Sequence, residues 1–187
     1  MTEQWQEIAP RIYALRAFSL LETVAIVAQA DASPVWVRAV INANFDVDPN
    51  VRDAEILFEE LHQPHARVYR ERLARVTDDL AQRLAPGSKL VEVQLVRYQP
   101  GGRYVEHRDG PTPGAVQRTL SLVCYLNEGF EGGATTFTEL DVSVKPAAGL
   151  LIAFPPELMH RADPVLDGRK YVITAWYHSG SPSAPLS

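Results

Sequence analysis

From Lys89 onward the chain breaks into short β-prone runs, "LVEVQLVRY", "TLSLVCYLN", "ATTFTEL", "VSVKP", "GLLIAF" and "YVITAWYHS", divided by Gly, Pro and Asn. Nothing between them is long enough for a helical crossover, so the runs must pair antiparallel, as a sandwich or a jelly roll (double-stranded β-helix). The first half reads as helical. Ser19-Leu20-Leu21-Glu22 has capping-box spacing before an apolar stretch, which predicts a helix over about 19–30. Asp53 to His62 reads as a second short helix. Pro64 suits the first turn of a longer one that ends near Leu84, with "APG" as its stop. Along it Tyr69, Leu73, Val76, Leu80 and Leu84 recur every three or four residues, a stripe that should lie against a sheet. The expected fold class is therefore α+β, a jelly roll of antiparallel strands with helices packed on one sheet.

With 187 residues, the chain fits a single domain over 1–180. The expected division is a mainly helical part over 1–86 and a jelly-roll core over 87–180, with "SGSPSAPLS" giving a flexible tail at 181–187. Lys and Arg number 18 against 23 Asp and Glu, a net charge of −5, and no basic run stands out. That balance argues against a surface built to neutralise phosphates, so nucleic acid is not an expected partner. The start shows no secretory signal. The most apolar early segment, Leu20 to Ala30, contains Glu22 and Gln29 and is too short for a bilayer, so no membrane association is expected. A single cysteine, Cys124, excludes an internal disulfide and reads as a small buried hydrophobe. A reducing cytoplasm is the expected location.

In "YQPGGRYVEHRDG" a histidine and an aspartate stand two apart. In an extended strand i and i+2 face the same way, so His107 and Asp109 can share one interior while Arg108 faces out. Alone, His-X-Asp is a weak signal. His160 strengthens it, because it follows the apolar run "GLLIAF" across a loop and precedes another apolar strand. Two neutral imidazoles and one carboxylate on one side of a metal leave the opposite positions open, the arrangement that suits non-haem Fe(II).

Four phrases in order extend the pattern: "RYQPGGRYVEHRD", "RTLSLVCYLNEGFEGGATTF", "VKPAAGLLIAFPPELMH" and "PVLDGRKYVITAWYH". They resemble the Fe(II)- and 2-oxoglutarate-dependent dioxygenases, and within them the prolyl 4-hydroxylase-like branch. The likeness is close from Val91 to His178 and loose before it. It implies His107, Asp109 and His160 as iron ligands and catalytic residues, with Fe(II), 2-oxoglutarate and O2 as cofactors and ascorbate a candidate reductant. Asp109 favours hydroxylation over halogenation, because related halogenases lack this carboxylate.

By the same resemblance Lys170 is the cation for the distal carboxylate of 2-oxoglutarate. Strand alternation turns the neighbouring Arg169 outward and puts Thr174 and Trp176 on the face of Lys170. Tyr98 and Tyr125 resemble the family's cosubstrate tyrosines. Arg118 falls where peptide-acting members carry a substrate-contacting arginine, and Tyr104 lies near the mouth; both are candidate substrate residues. His62, His65 and His178 read as structural. Gly101-Gly102 and the segment from Phe45 to Arg52 are candidate mobile elements at the mouth.

The implied activity is hydroxylation of an unactivated C–H bond of a prolyl residue in a peptide or protein. Relatives of this fold also act on free amino acids and natural-product intermediates, so a small amino-acid-like substrate is the main alternative. A nucleic-acid demethylase or a noncatalytic jelly-roll binding module ranks lower. The acidic balance opposes the first, and the full ligand set opposes the second.

Overall fold

The computed structural model describes residues 4–41, 46–58, 65–110 and 117–179. In chain order the elements are β1 (Gln6–Ala9), β2 (Ile12–Arg16), α1 (Leu20–Asp31), β3 (Val37–Arg38), β4 (Arg52–Asp53), β5 (Glu55–Phe58), α2 (His65–Leu84), β6 (Lys89–Tyr98), β7 (Arg103–His107), β8 (Arg118–Tyr125), β9 (Glu131–Gly132), β10 (Thr135–Phe137), β11 (Val142–Val144), β12 (Leu150–Phe154), β13 (His160–Ala162), β14 (Val165–Asp167) and β15 (Lys170–His178). The major sheet runs β1-β2-β12-β8-β15-β6-β5-β3 and the minor sheet β11-β10-β13-β7-β4, with β14 and β9 as a separate pair. Every pairing is antiparallel, as expected for the double-stranded β-helix.

The helix α1 starts where the capping box places it. The Ser19 side chain accepts from the Glu22 N–H, and the Glu22 carboxylate accepts from the Ser19 N–H. Such a cap stabilises a helix by about 1 kcal/mol. In α2, Tyr69, Leu73 and Leu80 are buried, whereas Leu84 is exposed and Ala81 and Ala85 cover the last turn instead. Gly87, at φ +78°, occupies the left-handed region that ends the helix. Both helices pack on the outer face of the major sheet, where Ile26, Ala30, Tyr69, Leu73 and Leu80 meet Leu95, Leu122, Cys124, Ile173 and Ala175. Cys124 is fully buried there, and burial pushes its thiol up, as its reading as a small hydrophobe requires.

Two expectations fail in the first half. Among the described residues, the segment 1–86 is less helical than expected, because besides α1 and α2 it supplies five strands, β1 to β5. The helix expected over Asp53 to His62 is replaced by β4 and β5, while residues 59–62 lie outside the described residues. The physical reason lies in β5, which is buried on both faces. Ile56 packs into the core between the sheets and Leu57 into the core under the helices. A short strand covered on both sides shows an apolar run without alternation, which periodicity cannot tell from a helix. The tail at 181–187 also lies outside the described residues, as does Phe45.

The inner faces of the two sheets enclose a second core that contains Ile56, Val96, Tyr98, Phe137, Ile152, Phe154 and Val172. The candidate site opens at one end of this layer. Among the described residues no helix is long and apolar enough to cross a membrane.

Candidate active site

His107 ends β7 and His160 begins β13, and the two are directly opposite in the antiparallel register. Their rings lie 4.3 Å apart between centroids. Asp109 sits just past the end of β7, anchored by its N–H to the Pro156 carbonyl at 2.9 Å. Its Oδ1 is 3.6 Å from His107 Nε2 and its Oδ2 is 3.7 Å from His160 Nε2. The three ligand atoms all fall within 4.8 Å of one another, so the sequence triad is one cluster. Arg108 faces outward, as alternation requires, and donates to the Glu157 carbonyl.

The chemistry of this donor set fits a divalent transition ion. His107 Nδ1 lies 2.8 Å from the Val105 carbonyl and His160 Nδ1 lies 2.9 Å from the Leu158 carbonyl. A carbonyl can only accept, so both Nδ1 atoms carry the proton and both Nε2 lone pairs face Asp109. Burial pushes the His160 imidazolium down, which keeps the ring neutral as a ligand must be. Burial would push the Asp109 carboxyl up, but the two imidazoles beside it hold it well below the usual carboxylate range. Phe154 meets the His160 ring edge-on at 4.7 Å, and Phe137 packs at 5.9 Å, so the imidazole cannot turn away.

Lys170, 1% exposed, starts β15 on the opposite sheet and points into the same cavity. Its Nζ donates to the Gly133 carbonyl at 2.6 Å and lies 4.9 Å from the Tyr98 ring centroid. Burial lowers the ammonium to about 7, with Asp163 opposing. Thr174 and Trp176 line the cavity on the Lys170 side, as the alternation of β15 predicts, and Arg169 is exposed. Thr174 Oγ1 and Trp176 Nε1 are buried without a hydrogen-bond partner.

Tyr98 is buried on the cavity wall, where burial raises its phenol and the Arg52 charge opposes the rise. Tyr125 lies behind that wall. Its hydroxyl donates to Thr135 Oγ1 at 2.7 Å, and its ring stands 5.6 Å from Lys170 Nζ. The structure thus places Tyr98 at the cavity and Tyr125 in the layer that supports Lys170.

Both residues singled out as substrate contacts prove to be tied to the metal ligands. Tyr104 stacks on His107, with ring centroids 3.6 Å apart and planes 17° apart. Residues three apart on a regular strand face opposite ways, but β7 carries a bulge against β13, where Tyr104 pairs with Ala162 and His107 with His160. The extra residue brings both rings to the cavity side. Arg118 is near a second irregularity, between β8 and β15. Its guanidinium donates to both Glu92 carboxylate oxygens, at 3.2 and 2.7 Å, and to the Asp109 carbonyl at 3.3 Å.

The glycine pair is no loose hinge. Gly101 N–H donates to the Val165 carbonyl and Val165 N–H to the Gly102 carbonyl, which pins the turn to β14. His178 contacts Glu92 at 2.6 Å, in keeping with a structural role. His62 and the His65 side chain lie outside the described residues. Sequence reasoning missed Arg52, a cavity-lining arginine only 8% exposed. The signal was its alternation with Ala54 and Ile56, which puts it on the inward face.

A family model described as the 2OG-Fe(II) oxygenase superfamily matches residues 93–178, which hold all three ligands and Lys170. Over that stretch the chain is similar to the 2OG-Fe(II) oxygenase superfamily. A relative named putative prolyl 4-hydroxylase, from Acanthamoeba polyphaga mimivirus, is 27% identical over 150 residues, 70% of this chain and 60% of that protein. The fold is shared with a Pseudomonas putida prolyl-4-hydroxylase at TM-score 0.74 and 24% identity, covering 96% of this chain and 95% of the other. It is also shared with a Trichoplax adhaerens prolyl hydroxylase in complex with a hypoxia inducible factor peptide fragment. There the TM-score is 0.73 at 19% identity, covering 90% and 84%. The chain spans less than two thirds of the length of the curated relatives it matches, from 20% to 61%.

Proposed function

We propose that the chain is an Fe(II)- and 2-oxoglutarate-dependent dioxygenase that hydroxylates an unactivated C–H bond, of a prolyl residue in a peptide or protein. The observation that carries this reading is one cavity holding two Nε2 lone pairs, one carboxylate and, from the opposite sheet, a buried lysine with a single carbonyl partner. The relatives and fold neighbours named prolyl hydroxylases support the substrate class.

His107, Asp109 and His160 would hold the metal. Bound there, Fe(II) with 2-oxoglutarate supplies the oxidation, in which O2 is consumed, 2-oxoglutarate becomes succinate and CO2, and the substrate C–H becomes C–OH. The rest is the work of the protein. The Val105 and Leu158 carbonyls fix the imidazole tautomers, and Phe137 and Phe154 hold His160 in aim. Lys170 offers an ammonium whose burial is compensated only by an anion, the role of the distal carboxylate of the cosubstrate. Tyr98 walls the space beside it and limits entry of water.

The test is anaerobic addition of Fe(II) and 2-oxoglutarate, which gives a weak visible charge-transfer band in the wild type and none in His107→Ala. Succinate release is then measured across proline-containing peptides, free proline and other amino acids. Absence of both the band and any succinate from the wild type would sink the reading.

A further inference from the structure

Apart from the metal ligands and Lys170, two charged side chains line the cavity, Arg52 and Arg161, and Arg161 is exposed and paired with Asp163. Arg52 is 8% exposed, on the edge strand β4 of the minor sheet. Its Nη1 donates to the Val40 carbonyl at 3.1 Å, and its guanidinium lies 4.9 Å from the Tyr104 ring centroid. The Nε–H is buried with no hydrogen-bond partner. Among the described residues no carboxylate pairs with it. The adjacent Asp53 is taken by Arg38, and the Asp109 carboxylate is beside the two imidazoles and Arg118. An arginine keeps its charge where a lysine can shed it, so a buried guanidinium without a counter-charge is a costly arrangement unless something brings one.

The position of Arg52 says where that charge must come from. It is directly opposite Tyr104 in the β4–β7 register, and Tyr104 stacks on His107, so the cation lies one ring beyond a metal ligand. Lys170 approaches from the other sheet, so the two cations serve different parts of the cavity. A group held by Arg52 sits beside the edge strand β4 of the minor sheet.

We propose that Arg52 binds a carboxylate of the substrate, so that the preferred substrate carries an acid group close to the carbon that is hydroxylated. The guanidinium fork suits a carboxylate bidentately, and its free Nε–H supplies one arm of that pair. This inference rests on the oxygenase reading and narrows it to acidic substrates. The acid can be the α-carboxylate of a free amino acid or an acidic neighbour in a peptide.

Two matched pairs separate these sources: L-proline against L-prolinamide, and a capped Pro-Asp peptide against its Pro-Asn counterpart. Binding to the protein with Fe(II) and 2-oxoglutarate is measured anaerobically by calorimetry, and succinate release is measured in air. The wild type should favour the acid of at least one pair by roughly 10- to 100-fold, the size of one charge-assisted hydrogen-bonded pair. Arg52→Met should abolish that preference and Arg52→Lys should keep part of it. Equal binding of acid and amide by the wild type, or binding of no acid at all, overturns the proposal without recourse to a variant. A preference that survives in Arg52→Met overturns it too, as does a variant whose only change is a higher KM for 2-oxoglutarate. The oxygenase reading fails by a different sign, the absence of the charge-transfer band and of succinate, whereas calorimetry needs no turnover.

Discussion

The Arg118 guanidinium stacks on the Trp176 indole, 3.9 Å from the ring centroid, while its donors reach Glu92 and the Asp109 carbonyl. Its planar head is therefore committed on its face and its edges. This makes Arg118 a clamp on the loop that carries the ligand carboxylate. Groups that orient a metal ligand from behind typically affect metal affinity by about 10- to 100-fold. Arg118→Lys, which cannot make the fork or the stack, should weaken Fe(II) binding in that range. Glu92→Gln should have a smaller effect in the same direction. Metal titration followed by the charge-transfer band checks both.

Lys170 makes stability depend on pH. Burial lowers its ammonium from the ordinary 10.5 to about 7, so between those values the folded protein holds fewer protons than the unfolded chain. Stability of the ligand-free protein should rise with pH across that window and gain nothing from this group below it. Lys170→Met removes the rise and stabilises the ligand-free protein at pH 7 by a few kcal/mol, on the order set by 1.36 kcal/mol per pKa unit. A bound dicarboxylate favours the ammonium, so 2-oxoglutarate affinity should fall above pH 7 by up to about tenfold per pH unit. Urea unfolding and calorimetry over pH 6–10 measure the two effects.

Tyr104 acts on His107 through its ring. Tyr104→Phe keeps the stack and should leave Fe(II) affinity within about threefold, whereas Tyr104→Ala frees the imidazole and should cost about tenfold or more. Equal losses in the two variants, read by metal titration, would assign the effect to the hydroxyl instead.

Gly102 is held where a side chain cannot fit. A Cβ there would stand 2.8 Å from the Gln99 carbonyl oxygen and 2.9 Å from that of Asp53, both backbone atoms. Gly102→Ala should destabilise the fold by about 1–3 kcal/mol, the usual range for overpacking, with a lower urea midpoint.

The parts of this site legible in the sequence are those that obey simple strand alternation. Lys170, Thr174 and Trp176 share one face of β15 as spacing requires, and His107 with Asp109 share another. The contacts that the sequence does not foretell arise where alternation breaks. A bulge turns Tyr104 toward His107, and Arg118, beside an irregularity, lies against Trp176, so these two candidate substrate residues also support the metal ligands. Arg52 lies on a two-residue strand inside a stretch that reads as a loop, where alternation with Ala54 and Ile56 is the one sign of its burial. The helix wrongly expected over Asp53 to His62 has the opposite cause, a strand so well covered that its pattern vanished.

The opposition of His107 and His160 across a single strand pair carries a consequence for how the protein matures. A slip of one residue between β7 and β13 would send one imidazole to the far side of the minor sheet and leave the ion a single ring to grip. An ion gripped by both rings would therefore favour the molecules whose strands are correctly aligned.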